Sequence, residues 1–502
     1  MSSQNSLKDV TSDKEHAFID DIAQPGHITN KQILSPLDKE AEARLSRKID
    51  LHIVPIVAML YLWCFIDRAN IGNARIAGME KDLKMTGKYD YNIALTAFYA
   101  SYIVFEIPSN LMAKAVGPGK WLPILTIGFG ILSLATAFVH SFGALVAVRF
   151  LLGIFECGLL PGIAYYLSRW YRRDELVFRL SMYLVTAPLA GAFGGLMASG
   201  FISLGPVGSV HSWRHIFLWE GLITTVIGIA GYLLLTDRPE VAKWLTPEEK
   251  ALAEARIKSE NAGAAVALER MKGSAVRQGI FNINTFLLAW QFLWVNVTVQ
   301  GIAVFMPTIV RSLFPGRTVV QQQLLSVGPY VFGSAMNIVI PLAAWKTRRR
   351  GYCMLATAPM AIIGFAIFLG SNSNNAKYAG AFLVTAGSFP FGALCTGATS
   401  ANSSPDSARA SAIGAVVMVG NIGGLISSWT FLAKDAPRFI PGNSINLTGG
   451  ILVFLTALVM IMYQMWENKQ RDLGKRDHRL EGLSADEQAY LGHRHPGFRY
   501  AL

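Results

Sequence analysis

Apolar residues run through this 502-residue chain in blocks of about twenty, divided by short polar connections. About 20 predominantly apolar residues are enough to cross the hydrocarbon of a bilayer as a helix. Residues 1–48 are polar, contain Pro25 and Gly26 and lack sustained apolar periodicity, so they read as a disordered tail. Six spans follow at 50–70, 92–113, 121–139, 143–167, 178–204 and 215–236. The next stretch, 237–280, includes TPEEKALAEARIKSE, which is helix-prone but too charged to span. Six further spans lie at 281–310, 320–345, 352–370, 377–398, 408–432 and 444–466, and a polar, basic tail covers 467–502. The pattern predicts an all-α membrane protein. Its twelve transmembrane helices divide into two six-helix bundles, 49–236 and 281–466, around a central loop.

Composition supports the membrane reading. Hydrophobic residues make up 52% of the chain and charged ones 16%, with a mean hydropathy of +0.36, whereas a soluble protein carries about a quarter charged residues. The formal net charge of +12 does not point to nucleic acid, because no basic run is interleaved with stacking aromatics. The cations lie between spans instead. Lys114, Lys120, Arg169, Arg172, Arg173, Arg179, the central loop, Lys346 and Arg348–Arg350 fall on one side, which predicts that both termini are cytoplasmic. Lys81, Lys84 and Lys88 on the other side mix with acidic residues. Cys64, Cys157, Cys353 and Cys395 sit far apart within apolar spans, without metal-ligand spacing, and read as small buried hydrophobes. The N-terminus has no apolar core and is not a cleavable signal peptide.

Within the first span, WCFIDRANIGNAR places Asp67, Arg68 and Asn70 where a charged side chain costs roughly 2.5–3.5 kcal/mol. Such residues face a bundle interior and mark a substrate or ion path. The fourth span, RFLLGIFECGLLPG, carries Arg149 and Glu156 seven apart. On a helix that spacing brings them within about 20° of one face and roughly 10 Å apart along the axis. A guanidinium fork suits a carboxylate, and a carboxyl in a low-dielectric site can exchange a proton near neutral pH. Together these are the parts of a proton-coupled anion carrier. The other reading is that the four residues are ion-pair partners between helices. The two are compatible if the acids and bases pair when no substrate is bound.

FIDRANIGNAR, EIPSNLMAKAVGPGKWLP, RFLLGIFECGLLPG and YYLSRWYRRDELVFRLSMY, in that order, resemble the anion:cation symporter family of the major facilitator superfamily, in particular its fungal allantoate, nicotinate and vitamin permeases. The resemblance covers residues 45–464 and is densest in the first half. It implies inverted three-helix repeats within each half and a substrate site between the halves near mid-membrane. It also implies that Arg68 and Arg149 hold a substrate carboxylate, while Asp67 and Glu156 take part in proton coupling.

Other residues read as structural or gating elements. Glu106 and Asn110, followed by the GPGK turn, resemble the family's inner-loop latch, and the segment from Trp170 to Arg179 is a second latch or a solvated anchor. TAPLAGAFGGLMASG in span five partly matches the glycine-proline motif of exporters, with Ala187 and Ala192 where glycines are expected. In the second half, Asn296 and Gln300 share a face of span seven and could bond the variable part of a substrate; intramembrane amides also tie helices together, and Gln291 is a third in that span. Asn421 lies among glycines in span eleven, and Asn402 stands in a segment resembling the family's ANxxxxxxRA pattern with Arg409; both favour structure or gating. Apart from Lys377 and Arg409 at the starts of spans ten and eleven, spans seven to twelve hold no acid or base, so coupling is expected to concentrate in the first half.

No phosphate-binding G-x-x-x-x-G-K-[ST] and no nucleophile-base constellation occur, so neither an ATP-driven pump nor an enzyme is expected, and no cofactor or metal. The expected activity is import of a small monocarboxylate with protons by a monomer in the plasma membrane. Export by proton antiport is the alternative, and a non-transporting nutrient sensor a third; tails of about 48 and 36 residues are short for a sensor.

Overall fold

The computed structural model describes residues 36–171, 175, 179, 182–206, 210–261, 273–404, 406–483, 488 and 491–501. Most of the predicted N-terminal tail, Arg172 and Arg173, and the middle of the central loop at 262–272 lie outside the described residues. Residues 48–502 form one compact unit, and the packing below is that unit's.

Among the described residues there are twelve long helices, in the predicted order. They are α1 (Pro36–Ile76), α2 (Asp90–Val116), α3 (Pro118–Thr136), α4 (Phe142–Ser168), α5 (Thr186–Ile202), α6 (Arg214–Leu234), α7 (Ile283–Leu313), α8 (Val319–Thr347), α9 (Arg350–Gly370), α10 (Asn374–Ala401), α11 (Asp406–Ser427) and α12 (Ile440–Asp472). Ten are long and apolar enough to cross a membrane; α2 carries Asp90, Glu106 and Lys114, and α11 contributes only the shorter apolar helix Ser411–Ser427. Local chemistry sets the ends. Ser141 accepts a hydrogen bond from the Ala144 amide at the start of α4, and Thr318 and Gln321 form a reciprocal capping box on α8. Gly117, with φ 95°, makes the turn between α2 and α3, and Pro118 opens α3.

Several helices outrun the apolar spans, because polar ends continue the helix outside the hydrocarbon. The helix ends of the second half therefore carry charge that its span interiors lack: α7 ends near Arg311, α10 buries Lys377 close to its start, and α12 continues through Glu467 and Arg471. Residues 247–261 of the central loop form the expected charged helix.

The packing repeats between halves. In the first, α2 packs on α4 and α3 on α6; in the second, α8 packs on α10 and α9 on α12. The halves meet where α5 lies on α8 and α11 on α2, two equivalent crossings. The α5–α8 contact runs along a glycine face: a Cβ at Gly191 would come within 2.5 Å of the Tyr330 ring, and Gly195 lies against Ser326 and Gln323. Tyr330 is fixed by its hydroxyl, which donates to the Ile302 carbonyl at 2.9 Å.

The face carrying the central loop is here termed the loop face, and the opposite one the far face. At the far face the halves are tied together. Asn92 of α2 donates to the Ser428 carbonyl at 2.5 Å, the Trp429 indole donates to Thr96 at 2.9 Å, and Arg311 donates to the Ile76 carbonyl at 3.3 Å. Tyr91 and Phe305 meet edge to face beside these bonds.

Candidate functional site

Adjacent residues on a helix point about 100° apart, so Asp67 and Arg68 of α1 address different neighbours. Arg68 Nη2 lies 2.9 Å from Glu156 Oε2, an oxygen that also accepts from the Cys64 thiol at 3.3 Å. Asp67 Oδ2 lies 3.7 Å from Arg149 Nη1, an ion pair without a hydrogen bond. Two helices thus exchange two acids and two bases in crossed pairs. All four residues are buried, none more than 6% exposed.

Much of their bonding capacity is unused. Both Asp67 oxygens, Arg149 Nε and Nη2, Arg68 Nε and Glu156 Oε1 have no hydrogen-bond partner among the described residues. Buried polar groups are ordinarily satisfied, so this concentration of open donors and acceptors marks a site built for something further. Aromatic faces hold the guanidiniums. Arg68 lies 5.0–5.3 Å from the ring centres of Phe65, Phe98 and Tyr102, and Arg149 lies 5.4 Å from that of Phe217.

A third acid, which sequence reasoning passed over, joins the cluster. Glu220 of α6 is fully buried and accepts from Asn70 Nδ2 at 2.6 Å, while Asn73 donates to Asn70 Oδ1 at 2.8 Å. Its Oε1 is without a partner among the described residues. The signal was present in the sequence, since IFLWEGLITT interrupts an apolar span with an acid just as FIDRAN does.

From the second half, Gln300 Oε1 accepts from the Tyr99 hydroxyl at 3.2 Å, and Tyr99 stacks edge-on to the Phe98 that faces Arg68. Asn296 lies against Gly420 and Gly423 of α11. Gln291 is turned away, toward Met460 of α12. Of the three amides, Gln300 is joined most directly to the charged cluster.

The residues read as gating elements occupy two other levels. Glu106 accepts from Asn421 Nδ2 at 2.8 Å, a bond between halves rather than within the first, and Asn110 is half-buried without joining it. At the loop face, Arg179 makes a two-pronged bond to Asp50 (2.7 and 2.9 Å) and lies over the Tyr171 ring, while Arg256 of the central-loop helix reaches Glu175 at 2.6 Å. Trp244 stacks between His52 and Trp170. The GPGK turn is held by Asp237, which accepts from the Gly119 amide at 3.1 Å and from Arg169 at 3.1 and 3.0 Å. Asn402 bonds the backbone of Ala501, well away from α1 and α4.

Known proteins resemble this chain along most of its length. It is 32% identical over 473 residues to an uncharacterized transporter of Schizosaccharomyces pombe, covering 93% of this chain and 91% of that one. It is 31% identical over 485 residues to the high-affinity nicotinic acid transporter of Saccharomyces cerevisiae, covering 96% and 86%. Among solved structures, the D-xylose-proton symporter superposes with a TM-score of 0.61 at 14% identity (82% of this chain, 97% of that one). A bacterial homologue of the human lysosomal transporter Spinster, inward-facing and unoccupied, gives 0.60 at 14% (85% and 97%). Residues 57–428 match the family model of the Major Facilitator Superfamily. With twelve long helices in two related halves among the described residues and a buried charged cluster beside their junction, the chain is a multi-pass membrane transporter, not an enzyme, and belongs to the Major Facilitator Superfamily.

Proposed function

We propose that this transporter is of the anion:cation symporter type and imports a small monocarboxylate together with protons. The observation that carries the reading is the crossed pairing of Asp67–Arg149 and Arg68–Glu156, with Arg149 Nε and Nη2 open to a second carboxylate. A substrate carboxylate is isosteric with the acids already there, so it can take their place on the guanidiniums. A displaced Glu156 or Asp67 would be a buried charge without a counter-charge, a state costing several kcal/mol. Uptake of a proton removes that cost. One monoanion and one proton together leave the charge of the cluster unchanged, which couples the two movements.

Glu220 deepens the scheme. Three carboxyls face two guanidiniums, so one proton shared among the carboxyls makes the cluster neutral, and Asn70 and Asn73 link Glu220 to the Asp67 side of the site. Gln300, reached through Tyr99, is placed to sense the non-carboxylate part of the substrate. The relative named as a high-affinity nicotinic acid transporter has a monocarboxylate in its name, which supports the class.

The cation-rich loop face is assigned to the cytoplasm and the tied far face to the outside, with residence in the plasma membrane and a monomeric working unit. Alternating access then requires the far-face bonds to break. The test is uptake of labelled carboxylates into vesicles under an imposed proton gradient. Acid outside is expected to stimulate accumulation, and Glu156→Gln is expected to abolish accumulation while preserving exchange of labelled for unlabelled substrate. Accumulation by Glu156→Gln equal to that of the unmodified protein would overturn the coupling role.

A further inference from the structure

The second bundle carries a basic cavity at the loop face, away from the transport site. Residues 491–501 fold back over the ends of α7, α10 and α12. Asn468 bonds both the amide and the carbonyl of Tyr500 at 2.9 Å, Asn402 does the same with Ala501 at 2.8 and 3.1 Å, and Arg471 donates to the carbonyls of Phe498 and His493 at 2.7 and 3.0 Å. Beneath this strap is a cavity of about 490 Å³ whose polar wall includes Arg471, Arg479, Arg494, His493 and Glu467, with Phe281 on its apolar side.

The charges in that wall do not cancel. Arg471, Arg476 and Arg479 converge on the single Glu467 carboxylate, at 3.3, 2.7 and 3.4 Å. Arg494 is exposed, and its guanidinium has no partner among the described residues. His493 is buried with Nδ1 unpartnered, and its imidazole is pushed down to about 4 by burial and then by Arg494, Arg471 and Arg479. Burial is the larger part of that shift, and the guanidiniums of Arg494, Arg471 and Arg479 add to it, in keeping with a wall where three arginines share one carboxylate.

We propose that this cavity binds a phosphate monoester, carried either on a lipid headgroup or on a free phosphorylated metabolite. Guanidinium forks match phosphate oxygens in paired, charge-assisted hydrogen bonds. The volume falls in the range of small-ligand sites, about 300–1,000 Å³, and exceeds what a bare phosphate fills. Phe281, on the cavity wall, is 78% exposed, and Trp466, next to Glu467 in the chain, is 51% exposed with Arg476 over its ring. Exposed aromatics with basic residues are typical of the headgroup level of a bilayer, where basic pockets between helix ends take phosphorylated headgroups.

The full chain tests this. Thermal stability is measured in detergent with added glycerol 3-phosphate or inorganic phosphate against chloride at equal ionic strength. It is measured in parallel in phosphatidylcholine nanodiscs with and without phosphatidylinositol 4-phosphate. A rise in melting temperature in either arm is expected, and Arg494→Gln should weaken the apparent affinity about tenfold, the loss of one charge-assisted contact. Arg494 is exposed and unpaired, so this variant folds, and Arg479→Gln combined with it should remove the response. A response in nanodiscs alone identifies the lipid source, and a response to glycerol 3-phosphate identifies a soluble one; both support the site. No response in either arm, or an undiminished response in Arg494→Gln, overturns it. Failure here leaves the transport scheme untouched, because no residue is shared.

Discussion

Asn421 of α11 donates a 2.8 Å hydrogen bond to the buried carboxylate of Glu106 on α2, joining residues 315 positions apart and from opposite halves of the transporter. With the Asn92–Ser428 and Trp429–Thr96 bonds nearer the far face, it forms a ladder along one helix pair. Asn421→Ala leaves a buried acid without its donor, at a cost of about 1–3 kcal/mol. The expected result is a population shift away from the closed far face. It is read as faster labelling by a membrane-impermeant maleimide of a cysteine placed at Ser428, whose part in the ladder is played by its backbone carbonyl, and unchanged labelling would remove Glu106–Asn421 from the gate.

Arg149→Lys keeps the positive charge and removes the fork. Loss of one of two parallel hydrogen bonds should weaken carboxylate binding by about 10- to 100-fold. Competition for uptake across a panel of small carboxylates, together with ligand-induced thermal shifts, measures it. Full affinity in this variant would show that the carboxylate is held elsewhere.

Glu220 separates a structural role from a coupling one. Glu220→Gln retains an acceptor for Asn70 and should fold normally, whereas Glu220→Ala leaves Asn70 unsatisfied and should lose about 1–3 kcal/mol of stability. If Glu220 shares the coupling proton, Glu220→Gln also changes the pH profile of uptake. An unchanged profile would confine Glu220 to holding α6 against α1.

At the loop face, Lys48 donates to Glu249 at 2.6 Å and holds its carboxyl below the usual range. A folded value below the unfolded one contributes stability above the ordinary glutamate value and loses it as pH falls through the lowered value. The protection of Pro247–Asn261 against hydrogen exchange, taken relative to the intrinsic rate at each pH, is therefore expected to fall on acidification, with Glu249→Gln weakly protected at every pH. Equal acid sensitivity in that variant would assign the change to other groups.

The helix count and order were legible because an apolar block of about twenty residues has few other fates. The ends were less so: α1 and α12 run on through polar turns whose ion pairs, such as Asp50–Arg179 and Glu467–Arg471, lie outside any hydropathy pattern. Asp67, Arg68, Arg149 and Glu156 stood out because charge inside an apolar span is costly. Their crossed partnership could not be read, since helical spacing relates residues on one helix and says nothing of which neighbour each meets. Glu220 was missed although it met the same criterion, for want of a basic residue nearby in its span. Glu106 was placed in a latch of the first half because sequence proximity to the GPGK turn suggested it, whereas its partner lies on α11.

The glycine face between α5 and α8 has a mechanical consequence. Surfaces without side-chain ridges do not interlock, so α5 can roll over Tyr330 and Ser326 as a plain bearing while each bundle stays rigid. A methyl group at Gly191 would strike the Tyr330 ring and act as a wedge in that bearing. Gly191→Ala should then leave both bundles folded and substrate bound, yet slow the turnover of the carrier.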